Sequence, residues 1–207
     1  VRNPSYYFRE SISWGLITSG GCSFRYYPHG FVYDVAGMSF FTEKSTPHIL
    51  GILNSNYITQ VAKVLNPTIN LQIGDIAKMP YPNFNDQRYE EKVNLCVNIS
   101  KAEWNSHEPT WSFSQNELIR ISGQDLEESY DLYQQYWKNK FFLLHKNEEE
   151  LNQQFNEIYG LQEELTPDVH LEEVTILKEE TSIQNGDLVF NAKEVFAQFM
   201  SYAVGCM

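Results

Sequence analysis

Residues 6–41 crowd aromatic and β-branched positions together, broken at Gly15, Gly20-Gly21, Pro28-His29-Gly30 and Gly37. Phe24-Arg25-Tyr26 and Phe31-Val32-Tyr33-Asp34-Val35 read as strands, joined by a turn at Pro28-His29-Gly30. From Thr46-Pro47 the period becomes helical. Pro suits the first turn, and Ile49, Leu50, Ile52, Leu53, Tyr57, Ile58 and Val61 recur on one face until Asn66-Pro67 stops it. Residues 68–73 then alternate, Ile69, Leu71 and Ile73 against Thr68, Asn70 and Gln72, which predicts a half-buried strand. Gly74-Asp75 turns the chain, and Pro80-Tyr81-Pro82 closes this stretch.

Beyond it the pattern is mostly helical. Asp86 is placed to cap a helix with Tyr89, Val93, Cys96 and Val97 on one side. Residues 106–123 are polar and irregular, with Trp104, Trp111 and Phe113 as expected anchors. A long helix follows, on the seam Leu126, Tyr130, Tyr133, Trp137, Phe141, Leu144, then Leu151, Phe155 and Ile158, interrupted at Glu148 and packed as an antiparallel pair or on the preceding helix. Gly160 ends it. Residues 171–177 suggest a short strand, and Asn191 (or Asp187) starts a last helix. The fold class is therefore α+β: a β-rich domain over residues 1–85, a long-helix spacer over 86–165, and a short strand with a final helix over 166–207.

Composition changes this picture in one respect. The 207 residues carry a formal charge of −12, unevenly spread. Residues 1–85 hold six Lys/Arg and four Asp/Glu, a net +2, and the remainder holds nine against 23, a net −14. Contact with a polyanion is thereby confined to the first part, with the acidic part facing away. Three widely spaced cysteines without CxxC spacing argue against a disulfide framework or zinc ribbon and for the reducing cytoplasm. No apolar run reaches the roughly 18–20 residues of a membrane span. The start at Val1 and the stop inside an apolar run suggest an excerpt of a longer protein.

Self-contained catalytic chemistry is not evident. The five histidines include no i, i+4 pair, so no metal site is expected. There is no P-loop, G-x-S-x-G or G-x-G-x-x-G motif. Glu90-Glu91-Lys92 has the outline of a nuclease E-x-K triplet, but in a helix this acidic it reads as a solvated face, as does Glu148-Glu149-Glu150. The binding candidates lie between Arg9 and Tyr27. Backbone amides at Ser19-Gly20-Gly21 suit phosphate, and Arg9, Ser23 and Arg25 suit phosphate or base edges. Tyr26 and Tyr27 suit stacking on a base or sugar. Asn70 and Gln72 carry amides that match adenine edges or simply an edge strand. The simpler account is a hairpin whose arginines pair with Glu10 or Asp34.

Four runs in order along the chain bear on this choice: YYFRESISWGLITSGGCSFRYYPHGFVYDVAGMSFF, LGILNSNYITQVAKVLNPTINLQIGDIAKMP, EELNQQFNEIYGLQEELTP and SYAVGCM. They resemble the adenine-specific DNA methyltransferases of BREX phage-resistance systems (the PglX family) and related single-chain type II restriction-modification enzymes. The helix leading into Asn54-Ser55 and the later Pro-x-Pro exit also resemble the recognition domains of type I specificity subunits. The resemblance implies a DNA target-recognition region of an enzyme that uses S-adenosylmethionine, whose catalytic domain lies upstream. It implies double-stranded DNA, that upstream methyltransferase domain and other phage-defence subunits as partners, and no membrane. Under that reading the candidates for DNA contact are Arg9, Ser19, Gly20, Gly21, Ser23, Arg25 and Tyr27, with Asn70 and Gln72 weaker. The family's Asn-Pro-Pro-aromatic motif is missing, since Asn66-Pro67-Thr68 lacks the second Pro and the aromatic, and so is the glycine-rich cofactor loop. This stretch is thus expected to hold no cofactor and no catalytic residue of its own. The alternative is a helical protein-interaction module of a phage-defence complex.

Overall fold

The computed structural model describes residues 3–15, 23–34, 36–66, 71–82, 84 and 86–207. It divides into two compact units that interleave along the chain, Val1–Asn94 with Glu148–Asp168, and Leu95–Asn147 with Val169–Met207. The fold is α+β with small antiparallel sheets. No described helix is long and apolar enough to cross a membrane.

The first unit is organised by the central strand β1 (Ser11–Gly15), flanked by β2 (Phe24–Tyr27) and β3 (Gly37–Phe40) in antiparallel order β2-β1-β3. Alternation sorts its two faces. Ile12 and Trp14 enter the core beside Phe24, and the Trp14 indole N–H donates to the Leu71 carbonyl at 3.0 Å. Helices α1 (Thr46–Leu53) and α2 (Asn56–Leu65) supply Ile49, Leu50, Ile52, Leu53, Ile58 and Ala62 to the same core. The start of α4 (Gln87–Asn105) and the end of α6 (Leu126–Tyr159) close it through Tyr89, Val93, Leu151 and Phe155. Tyr89 and Phe155 meet edge to face at 5.3 Å. Asp86 caps α4 by accepting from the Arg88 N–H at 2.9 Å.

Three local expectations need correction here. The helix expected from Thr46 to Asn66 is two helices, because Ser55 caps α2 by accepting from the Ile58 N–H. The Asn54 amide turns outward instead and bonds both backbone groups of Phe24, at 3.0 and 3.1 Å, standing in for a neighbouring strand. Residues 31–34 pair with no described strand, and the Phe31 carbonyl accepts from the Phe8 N–H at 2.9 Å. Of the strand expected at 68–73 only 71–73 are described. Leu71 and Gln72 join no ladder among the described residues, and Ile73 opens the helical turn α3 (Ile73–Ile76).

The second unit buries Ile99, Leu118, Tyr133, Trp137, Phe141, Leu144, Val174, Ile176, Leu177, Leu188 and Val195 in one cluster. It comprises the rest of α4, the short α5 (Glu117–Arg120), most of α6, a hairpin of β4 (Thr181–Gln184) with β5 (Asp187–Phe190), and α7 (Ala192–Gly205). Asn185 and Gly186 both have positive φ (53° and 82°), as a tight two-residue hairpin turn requires. The strand expected at 171–177 is a 3-10 turn (Leu171–Glu173) followed by irregular chain. Val174, Ile176 and Leu177 plug the core there, and the Leu177 N–H is taken by the Glu103 carboxylate rather than by a strand. Trp104 and Trp111 do not anchor this region, being 67% and fully exposed; Leu118 does. The long helix runs through Glu148 without a break. Gly160, at φ 67°, ends it, with the Leu161 N–H reaching back to the Asn156 carbonyl at 2.8 Å. Asn191 starts α7 as expected.

Candidate nucleic-acid interface

Opposite the core, the sheet presents its second face. Residues directly paired in antiparallel strands share a face, and the register sets Ser11 against Tyr27, and Ser13 between Arg25 and Ser39. The chain around them encloses a concavity of about 360 Å³, lined by Ser11, Ser13, Tyr27, Tyr33, Asp34 and Ser39 among others. The Ser13 hydroxyl donates to the Met38 carbonyl at 2.9 Å, which fixes the floor. The Tyr33 hydroxyl is buried with no partner among the described residues.

Two exposed rings line this hollow: Phe31 is 46% exposed and Tyr27 37%, and they meet edge to face at 5.1 Å. Phe8, bonded to Phe31, is 61% exposed. Phe8 is held at φ 64°, in the left-handed region that bulky residues avoid. Both of its backbone groups are engaged, the N–H with Phe31 and the carbonyl with the Gly30 N–H at 3.1 Å. The Arg9 guanidinium lies over the rings of Tyr6 and Phe41, at 5.1 and 5.7 Å.

The simpler hairpin account fails on the acids. Glu10 accepts from the Tyr26 hydroxyl at 2.9 Å and from Thr46, and Asp34 accepts from the backbone of Ala36 and Gly37 at 2.9 and 3.0 Å. Burial, then the bond to Glu10, pushes the Tyr26 hydroxyl up, so it stays a neutral donor. Among the described residues neither Arg9 nor Arg25 has a carboxylate within ion-pair distance. Arg25 remains exposed and donates to the Phe24 carbonyl at 3.1 Å. Partial loss of water around it draws its guanidinium below the ordinary value, against Glu148 and Tyr27, which pull it back up; it stays charged at neutral pH.

Of the residues singled out from the sequence, the structure brings Arg25 and Tyr27 together on one sheet face, while Arg9 lies on the Tyr6 and Phe41 rings. Ser23 is exposed just before β2. Gln72 is exposed at the start of α3, where the Asp75 carboxylate accepts its backbone N–H at 3.0 Å; that bond and one from the Asn66 amide hold Asp75 below its ordinary value. Ser19, Gly20, Gly21 and Asn70 lie outside the described residues. Phe31, Ser11 and Ser13 also line the hollow, and the S-x-S alternation in SISW carries the signal for two of them. The acidic triplet is not a purely wet face: Glu148, Glu149 and Glu150 are half-buried, and Glu150 pairs with Lys92.

No family profile matches the chain. Two curated relatives do. An adenine-specific methyltransferase PglX from Lacticaseibacillus casei (strain Zhang) is 32% identical over 212 residues, covering 99% of this chain and 17% of the relative. An adenine-specific methyltransferase BrxX from Escherichia coli O9:H4 (strain HS) is 31% identical over 216 residues, covering all of this chain and 18% of the relative. The chain is related to adenine-specific methyltransferases from end to end. Its similarity is to one segment of these PglX and BrxX methyltransferases, and it spans less than a fifth of their length.

Proposed function

We propose that the chain is a DNA target-recognition region of an adenine-specific DNA methyltransferase of BREX phage defence, and that the sheet face bearing Arg25 and Tyr27 meets the duplex. The observation that carries this reading is that neither Arg9 nor Arg25 pairs with Glu10 or Asp34, since both of those acids are bonded elsewhere. Cations with no carboxylate at ion-pair distance among the described residues, on the least acidic part of a −12 chain, suit phosphate or guanine edges. The hydroxyl-lined hollow offers donors, acceptors and rings beside them. Methylation itself, with S-adenosylmethionine, belongs to an upstream domain of the same cytoplasmic protein, and the helices brace the sheet against it.

The test is duplex binding measured across a salt series. Affinity should fall steeply with salt, and Arg9→Ala and Arg25→Ala should each make the log–log slope shallower by about one. A double variant that binds with unchanged affinity and slope would put recognition elsewhere. Exposed Trp104 and Trp111 favour a second reading, a protein-interaction module. In that case Trp104→Ala with Trp111→Ala would abolish binding to the methyltransferase domain or another defence subunit, and the arginine variants would bind DNA like the unaltered chain.

A further inference from the structure

In the second unit, three side chains far apart in sequence converge beyond the end of α4. Glu103 sits in its last turn, His107 two residues past its end, and Glu180 at the entry to β4, where the Glu180 carbonyl accepts from the Asn191 N–H at 2.7 Å. One ligand atom from each lies within 4.8 Å of the other two. We propose that Glu103, His107 and Glu180 bind a divalent transition metal ion of the Zn²⁺ or Mn²⁺ kind.

Four features of the geometry argue for it. Glu180 is 1% exposed, yet its Oε2 is buried and accepts no hydrogen bond from any described residue. A buried carboxylate oxygen left without a donor is costly, and a cation removes that cost. His107 is oriented as a ligand, with Nδ1 at 2.9 Å from the Glu103 backbone carbonyl and Nε2 turned to Glu180 Oε1 at 2.6 Å. Metal-bound imidazoles are commonly fixed in this way, the second nitrogen donating to a carbonyl. Gln198 donates to Glu180 Oε1 at 2.7 Å and the Leu177 N–H to Glu103 Oε1 at 2.8 Å, so both carboxylates are held in place. A groove of about 500 Å³, lined by His107, Glu179, Gln198 and Ser201 among others, gives entry and room for a water ligand.

Two carboxylates meet at the C-terminal end of α4, where a helix favours positive charge. Metal bonds of about 2.1 Å separate their ligand atoms by about 3.4 Å, so Glu180 must rotate away from its present contact with His107 and the three ligand atoms, now within 4.8 Å of one another, must settle around the ion. One imidazole with two carboxylates suits Zn²⁺ or Mn²⁺ better than Mg²⁺, which keeps most of its water.

The experiment is calorimetric titration of the chelator-treated chain with ZnCl₂, MnCl₂ and MgCl₂, together with thermal melts. One equivalent of Zn²⁺ or Mn²⁺ should bind and raise the melting temperature, with Mg²⁺ much weaker. His107→Gln and Glu103→Gln should each lower the affinity by at least about tenfold. In Glu103→Gln the new amide keeps an oxygen for the Leu177 N–H, so that variant is chosen to fold. Glu179→Gln, in the same groove but outside the triad, should bind like the unaltered chain. Absence of one-equivalent binding, or binding that Glu103→Gln and His107→Gln leave unchanged, overturns the proposal and leaves a buried histidine–glutamate pair.

Discussion

Phe8 is where local preference and tertiary demand disagree most openly. A left-handed backbone costs a bulky residue about 1 kcal/mol or more, and here it is imposed by hydrogen bonds with Phe31 and Gly30 while the ring stays in solvent. Phe8→Gly should therefore stabilise the fold by roughly 1 kcal/mol and weaken duplex binding by roughly fivefold through the loss of an apolar groove contact. Thermal melts and a binding titration on the same preparation check both halves. Loss of stability together with unchanged binding would make the ring a packing element only. Nothing in the sequence around Phe8 signals the positive φ, because side-chain preference runs against it. The common face of Arg25 and Tyr27, by contrast, was legible from the two-residue period of a strand.

At the scale of elements, helix starts and stops were legible where a capping residue acts locally. Asp86, Gly160 and Asn191 did what their chemistry implies. The break at Asn54-Ser55 was not foreseen, because apolar spacing runs straight across it; it exists because Asn54 has a better partner in β2. Gly51 marks a tight approach between elements in the first unit. A Cβ there would stand 2.0 Å from the Tyr89 hydroxyl oxygen and 2.6 Å from a Val93 methyl. Tyr89 cannot retreat without losing its hydrogen bond to the His48 carbonyl at 2.9 Å. Gly51→Ala should cost about 1–3 kcal/mol by overpacking, despite the better helix propensity of alanine. Urea denaturation measures it, and a neutral or stabilising result would mean that α1 and α4 pack less closely than described.

For the molecule as a whole, the four tryptophans report on the packing of each unit. Trp14 and Trp137 are buried, one in each unit, whereas Trp104 and Trp111 stand in solvent. Acrylamide quenching of native fluorescence should show two protected and two accessible indoles, and Trp104→Phe with Trp111→Phe should leave only the protected class. Uniform accessibility would contradict the cores described. The −14 charge beyond residue 85 pointed to acidic helices, but it said nothing of where single carboxylates would lie. What the sequence determined by itself was the α+β class, most helix limits and the relationship to adenine-specific methyltransferases, because period, caps and ordered runs act over short spans or are carried by identity. Only the tertiary structure decided that Glu10 serves Tyr26 and Thr46 rather than an arginine, and that Glu180 meets His107 across 73 positions of chain. The partner of a polar group depends on which surfaces lose water together, and that is settled only when distant elements pack.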